Sequence, residues 1–384
     1  MTDAAATPGP NAPDLRARAL VVSYERAGYA RVQPAILQPA EPFLDLSGED
    51  IRKRMYLTAD PQGRELCLRP DLTIPVSCDY LASSAAGQPQ SFCYLGSVFR
   101  HRSDGPGEFL QAGIESFGRA DAAAADAEIL SLGLEATGLY GLAAPDIRIG
   151  DVGLFAALIA ALDLAPAWKR RLIKDFNHKS SLAQDLDRLT ISASHARPEY
   201  QGVLAALAGS DPKAAHALVT DLLSIAGITA VGGRSVGEIA DRFLEQAALG
   251  AQSALPRETR ALIERFLAIA GDPDEAADAL RTFARDSGLN LDAALDLFES
   301  RTGFMAARSI DVGHIRFSTA FGRGLDYYTG FVFELHDAGR PEAGQFVAGG
   351  RYDGLLTRLG SPVPIPAVGF AVWMERLTAG GSAQ

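Results

Sequence analysis

Polar side chains interrupt several apolar segments of this sequence, and these residues are the ones able to do chemistry. Asp71 follows LCLRP directly, and Gln111 and Glu115 lie four positions apart in QAGIESFG, so both point to one face of a strand. Arg323 and Tyr328 lie in GRGLDYYTG between two predicted strands. Because a buried charge without a partner is costly, such residues indicate either a binding site or buried ion pairs.

If the five side chains converge, they offer the groups that recognise a free amino acid. Carboxylate and amide oxygens suit its ammonium group, and a guanidinium binds its carboxylate with two parallel hydrogen bonds. A spare carboxylate and a tyrosine hydroxyl suit a basic side chain such as imidazole. Spacing alone leaves open the alternative that these residues form separate salt bridges that stabilise a sheet.

Motifs for other chemistry are missing from the sequence. It contains no GxxxxGK[ST] phosphate loop, no GxSxG nucleophile elbow and no HExxH metal motif, and AGGRYDG indicates only a turn. Cys67, Cys78 and Cys93 form no CxxC pair, and we expect them to be small core side chains. The sequence therefore predicts no metal site.

Composition excludes several classes of protein. The 384 residues include 36 Lys and Arg against 47 Asp and Glu, a formal charge of −11, which argues against nucleic-acid binding by bulk charge. No apolar run is long enough to span a membrane, and the first residues lack the pattern of a signal peptide. We expect a soluble, cytoplasmic protein of two or three domains.

The elements that must position the polar residues are short strands between helices. A first helix is predicted from a cap at Asp14 to a stop at Gly28. Ala- and Leu-rich helices follow residue 153 and continue to about 304. The predicted strands occupy residues 31–37, 66–70, 92–100, 113–118, 314–321 and 331–337.

Two helix-start signals lie within the helical region. Asp272, followed by Pro273 and Glu275, predicts one start, and Ser235 with Glu238 forms a capping box for a helix over 239–247. A sheet, a helical block and a second sheet segment predict an α+β protein with an inserted helical domain. The predicted division is a disordered tail at 1–13, a core at 14–165 and 305–384, and a helical insert at 166–304.

Five motifs occur in an order that resembles the catalytic core of histidyl-tRNA synthetase. They are LRPDLT, YLGSVFR with FLQAGIESFG, GRGLDYYTG, AGGRYDGLLTRLG and AVGFAVWMERL, and the resemblance covers residues 14–155 and 310–378. It implies the class II synthetase fold, an antiparallel sheet flanked by helices. GYARVQPAIL, with Pro34, resembles the first class II motif and implies a homodimer.

The same resemblance implies which residues bind histidine. Its ammonium group would be bound by Asp71, Thr73 and Gln111. Glu115 and Tyr328 would bind the imidazole, and Arg323 would bind the carboxylate. The matching positions are therefore Asp71, Thr73, Gln111, Glu115, Arg323 and Tyr328.

The nucleotide and tRNA features depart from the synthetase pattern. Arg100 and Arg376 match the arginines of the second and third class II motifs, but Trp373 replaces the glycine expected beside the nucleotide. The loop SDGPGE has two acidic residues and no basic one, and the sequence ends soon after the third motif, without an anticodon-binding domain. We therefore expect a vestigial nucleotide site at Arg100, Trp373 and Arg376 and no tRNA partner.

This combination resembles the regulatory subunit family of ATP phosphoribosyltransferase, which is related to the synthetases. The resemblance implies a non-catalytic subunit without a cofactor, a homodimer within a hetero-oligomer. It would pair with a short-form catalytic subunit in the first step of histidine biosynthesis and carry histidine feedback. Three alternatives stay open: a free-standing histidine-activating ligase, a synthetase whose tRNA domain is a separate chain, and a histidine sensor with another partner.

Overall fold

The computed structural model describes residues 15–46, 51–103, 105–176, 182–183, 186–187, 212–225, 255–325 and 327–378. The predicted tail at 1–13, the capping box of Ser235 and Glu238, and the helix predicted over 239–247 lie outside these residues. None of the described helices is long and apolar enough to cross a membrane.

The first helix, α1 (Leu15–Arg26), forms because apolar side chains recur on one side of it. Its buried residues are Ala17, Leu20, Val21 and Tyr24, which follow the spacing of a helix with one face in the core. The helix is followed by Gly28, whose φ of +95° suits a residue without a Cβ. The predicted helix and its stop are confirmed, and the predicted cap at Asp14 lies outside the described residues.

The centre of the molecule is a nine-stranded sheet, most of whose neighbouring strands are antiparallel. Two of its pairs are parallel, β1 (Ala30–Arg31) with β5 (Gln90–Phe99) and β7 (Asp146–Asp151) with β9 (Ile315–Ser318). A second, smaller sheet has the order β2 (Leu37–Pro39), β4 (Glu65–Leu68), β3 (Tyr56–Ala59). The large sheet has the order β1 (Ala30–Arg31), β5 (Gln90–Phe99), β6 (Glu108–Phe117), β12 (Ala367–Trp373), β11 (Gln345–Arg351), β10 (Phe331–His336), β7 (Asp146–Asp151), β9 (Ile315–Ser318), β8 (Ala270–Gly271).

Helices pack on this sheet and bury its core. The helix α4 (Ala122–Leu139) crosses β10, β11 and β12, and Gly133 in it leaves room for the Phe333 ring and Val347. Asp272 caps α9 by accepting hydrogen bonds from the amides of Asp274 and Glu275, as predicted. The remaining helices are α2 (Glu41–Leu46), α3 (Thr73–Ala82), α5 (Val152–Ala161), α6 (Pro166–Phe176), α7 (Pro212–Ile225), α8 (Arg257–Leu267), α9 (Pro273–Ser287), α10 (Asp292–Ala307), α11 (Leu355–Arg358) and α12 (Met374–Thr378).

A buried ion network ties these helices to the sheet. Arg301 of α10 donates to Asp126 of α4 at 2.9 Å and to Asp151, the last residue of β7, at 2.7 Å. Arg351 of β11 also donates to Asp126. Asp151 caps α5 as well, because it accepts from the amide of Gly153. The four charged residues are buried, so each depends on the others for its partners.

Two predictions about local structure were wrong, the second only in part. Residues 31–37 do not form one strand, since Pro34 cannot donate to a ladder and its carbonyl accepts from the buried Arg69. AGGRYDG forms a turn only at its end, at Asp353 and Gly354, because its first four residues belong to β11. There a Cβ at Gly349 would overlap the backbone of Gly369 on the neighbouring strand.

Elements within 166–304 contact the sheet directly. The strand β8 pairs with β9, and α10 packs along α4. The division of the chain into a core and a helical insert at 165 and 305 stays a prediction.

Candidate functional site

One cavity of about 210 Å³ opens on the face of the large sheet. Its floor comes from β6, β12, β11 and β10, and its rim from the start of α3 and from residues 323–325 and 327–328. All six residues predicted to bind histidine line it: Asp71, Thr73, Gln111, Glu115, Arg323 and Tyr328.

Strand register aims two of these residues into the cavity. Gln111 pairs with Trp373 of β12, and Glu115 pairs with Gly369 of the same strand. A Cβ at Gly369 would overlap the carboxylate of Glu115. The glycine is therefore what gives the Glu115 side chain its space.

Glu115 is a fully buried carboxylate at the base of the cavity. It accepts a hydrogen bond from the hydroxyl of Tyr94 at 3.1 Å and another from the hydroxyl of Tyr352. Burial raises the pKa of Glu115 to about 7, against hydrogen bonds from Tyr352, Thr73 and Tyr94 that favour the ionised form. The group is thus poised to exchange a proton near neutral pH.

The beginning of α3 supplies the next group of polar atoms. Asp71 Oδ1 accepts from the amide of Ile74 at 3.2 Å, which satisfies one of the unpaired amides of the first helical turn. Burial raises the pKa of Asp71, and the nearby charge of Arg100 opposes that rise. Gln111 is 1% exposed, and its Oε1 accepts no hydrogen bond from any described residue. A ligand with N–H donors would satisfy this buried oxygen.

Arg323 and Tyr328 face each other across the rim. Arg323 Nη1 donates to the Tyr328 hydroxyl at 2.6 Å, and Nε donates to Glu334 Oε1 at 3.2 Å. Burial disfavours the charge of Arg323, but Tyr328 and Glu334 outweigh it and raise the pKa of the guanidinium. Arg323 is therefore a fixed cation within the cavity.

A second cavity of about 170 Å³ adjoins the first and is strongly cationic. Trp373, only 8% exposed, lines both cavities, and the Arg376 guanidinium lies 5.3 Å from the centre of its indole. Arg102 forms an ion pair with Glu375. The arginines that line the second cavity are Arg54, Arg100, Arg102 and Arg376.

Several lining residues were not among the sequence predictions. Glu334 interrupts the apolar strand FVFELH, which is the same signal that drew attention to Glu115. Tyr352 lies within AGGRYDG, the segment that was interpreted as a turn, and Tyr327 lies in GRGLDYYTG but was not selected from it. Arg54 and Gln345 have no sequence signal that separates them from surface residues.

Comparison with known proteins places this site in a family. A protein from Brucella canis named ATP phosphoribosyltransferase regulatory subunit is 43% identical over 350 residues, which are 91% of this chain and 92% of that protein. A Brucella suis protein of the same name matches equally. The chain belongs to the ATP phosphoribosyltransferase regulatory subunit family. The profile of a broader family, histidyl-tRNA synthetase, matches residues 12–231 and 214–377.

Solved structures show that this regulatory subunit family member has the class II synthetase-like fold. A Bacillus halodurans structure titled ATP phosphoribosyltransferase regulatory subunit/histidyl-tRNA synthetase superposes with a TM-score of 0.64 at 20% identity, over 95% of this chain and 77% of that one. A histidine–tRNA ligase subunit from Alicyclobacillus acidocaldarius gives a TM-score of 0.56 at 25% identity, over 99% and 98%. The predicted fold class, α+β with a sheet flanked by helices, is confirmed.

Proposed function

We propose that the chain binds L-histidine in the first cavity and passes that signal to a short-form catalytic subunit of ATP phosphoribosyltransferase. The catalytic subunit would depend on it for activity in the first step of histidine biosynthesis. The chain contributes no catalytic group of its own in this proposal. It forms a homodimer within the hetero-oligomer and binds no tRNA.

The observation that carries the proposal is that six residues from distant parts of the chain line one cavity of amino-acid size. Asp71, Thr73 and the Gln111 oxygen, which accepts from no described residue, suit an ammonium group. Arg323 suits a carboxylate, because a guanidinium can bind it through two nitrogens.

The imidazole ring has its own partners in the cavity. The Glu115 carboxylate accepts from one ring nitrogen, and the Tyr328 hydroxyl donates to the other or accepts from it. Since Glu115 is fully buried, a ligand that cannot donate to it displaces water and leaves the carboxylate with only its hydrogen bonds from within the chain, such as those from Tyr94 and Tyr352. This favours histidine over amino acids with apolar side chains.

Regulation follows if histidine binds one state of the complex better than another, because equal affinity for both shifts nothing. A coupling free energy of about 1–3 kcal/mol would mean that histidine changes the affinity of the chain for the catalytic subunit roughly 5- to 150-fold. Since coupling is reciprocal, binding of the catalytic subunit should change the affinity for histidine by the same factor.

The first experiment is a titration of this chain into a short-form catalytic subunit from the same source. We expect the phosphoribosyltransferase rate to rise and to saturate at a fixed stoichiometry, and histidine to lower it. A flat response with a folded catalytic subunit would refute the activating role. The mass of the complex, from light scattering after size exclusion, tests the homodimer.

Histidine binding is tested on the chain by itself with calorimetry. Glu115→Ala and Arg323→Ala should weaken it, and Glu108→Ala, an exposed residue of the same strand β6, is the matched control. Unchanged affinity in both cavity variants would place histidine elsewhere. Circular dichroism of each variant shows whether the fold is retained.

A second candidate function is favoured by the cationic second cavity. Four arginines beside the amino-acid cavity could hold a triphosphate, as a histidine-activating ligase would require. Trp373 opposes this candidate, because its indole lines both cavities where an adenosine would need room. Histidine-dependent exchange of pyrophosphate into ATP would establish the ligase, and exchange at the background rate would exclude it.

A further inference from the structure

Among the described residues that line the cavity, Glu334 is the carboxylate that the histidine-binding proposal leaves without a role. It lies on β10, in the floor of the cavity, and its neighbours on the strand are apolar and buried. One oxygen, Oε1, accepts from Arg323 Nε at 3.2 Å. The other, Oε2, lies 3.0 Å from Nε2 of His336, two positions along the same face of the strand.

These contacts fix the orientation of the guanidinium. Arg323 uses Nε for Glu334 and Nη1 for the Tyr328 hydroxyl, and its Nη2 makes no hydrogen bond to a described residue. A guanidinium held along its Nε edge presents its far end to a ligand. Without Glu334, Arg323 would keep only one of these two hydrogen bonds, the one to the Tyr328 hydroxyl.

The charge state of Glu334 matches this role. Burial by itself would raise its pKa, but the hydrogen bond with His336 and the charge of Arg323 lower the pKa below its usual range. Glu334 is therefore an anion that pairs with the Arg323 cation. His336, largely buried beside it, holds the second oxygen so that the first stays on Arg323.

We infer that Glu334 is a positioning residue that acts through Arg323, and that it sets the requirement of this cavity for a ligand with a free carboxylate. The inference rests on the proposed histidine site. It assigns Glu334 no direct contact with the imidazole or the ammonium group. Its effect should therefore be confined to ligands whose carboxylate reaches Arg323.

The test compares histidine with histidinol, which has a hydroxymethyl group in place of the carboxylate. Calorimetry on the full chain gives both affinities for the wild type, Glu334→Ala and Glu334→Gln. We expect Glu334→Ala to weaken histidine about tenfold and histidinol less than threefold. Glu334→Gln keeps an acceptor for Arg323 Nε and should recover most of the lost affinity.

The controls separate this inference from the proposed site itself. Glu342→Ala, an exposed glutamate on the turn after β10, should change neither affinity. Equal losses for both ligands in Glu334→Ala would overturn the positioning role and point to a direct or merely structural one. A wild-type chain that binds no histidine would overturn the proposed function, and this inference with it. Retained histidinol binding shows that the variant cavity is folded.

Discussion

The buried carboxylate of Glu115 makes the stability of the ligand-free protein depend on pH. Its pKa is about 7 in the folded chain against 4.5 for an ordinary glutamate. Because the folded-state pKa is the higher one, the stabilising contribution is complete below pH 4.5 and is lost as the pH rises through 7. Linkage with these two pKa values gives a loss of about 2 kcal/mol between pH 5.5 and pH 8.5.

Glu115→Gln removes this titration and keeps the shape of the side chain. The variant loses part of the hydrogen bonding with Tyr94 and Tyr352, and that cost is the same at every pH. The difference in unfolding free energy between variant and wild type should therefore move by about 2 kcal/mol in favour of the variant from pH 5.5 to pH 8.5.

Urea unfolding followed by tryptophan fluorescence at the two pH values measures that difference. Other titrating groups are common to both proteins and cancel in the comparison. Glu108→Gln, on the exposed part of the same strand, is the control and should show no such movement. A difference for Glu115→Gln that does not vary with pH would refute the account of Glu115 as a buried group with a raised pKa.

Three further outcomes follow from the packing. Arg301→Met leaves two buried carboxylates without this partner and should lower the unfolding free energy by about 3–5 kcal/mol in a urea titration. Arg281→Met breaks only ion pairs at the surface and should cost much less in the same titration. Gly303→Ala, in a helix with open space around the new methyl group, should stabilise by up to about 1 kcal/mol in the same assay. Gly369→Ala should abolish histidine binding in calorimetry, since its Cβ would displace Glu115.

The part of the site that could be predicted consists of charged residues within apolar segments, where burying a charge costs free energy. Asp71 and Glu115 stand out in apolar segments, and four-residue spacing on a strand correctly puts Gln111 and Glu115 on one face. The order of the five motifs also predicted the fold class and the family. That the residues converge is a property of the sheet, because pairing of strands far apart in sequence brings β6 close to Arg323 and Tyr328.

What could not be predicted depends on neighbours that no local pattern specifies. β11 was interpreted as a turn because its glycines are common in turns, whereas here they allow close approach of β12. Arg54 lines both cavities, and its carbonyl accepts a hydrogen bond from the amide of His101, just beyond the end of β5; no pattern in its own segment predicts this contact. Glu334 is a charged residue in an apolar strand, but it belongs to no recognised motif. Its contact with Arg323 follows from the folded structure and not from the sequence pattern.

The buried network of Asp126, Asp151, Arg301 and Arg351 also affects when the sheet can fold during synthesis of the chain. Arg301 follows its two carboxylate partners by 175 and 150 residues, and Arg351 follows Asp126 by 225. At roughly 5–20 residues per second, a ribosome needs on the order of 10 s to add 150 residues. During that interval the synthesised part of the chain contains Asp126 and Asp151, which are buried in the folded protein. It contains neither of the arginines that pair with them. Closure of the sheet around them therefore waits for the last quarter of the chain to emerge.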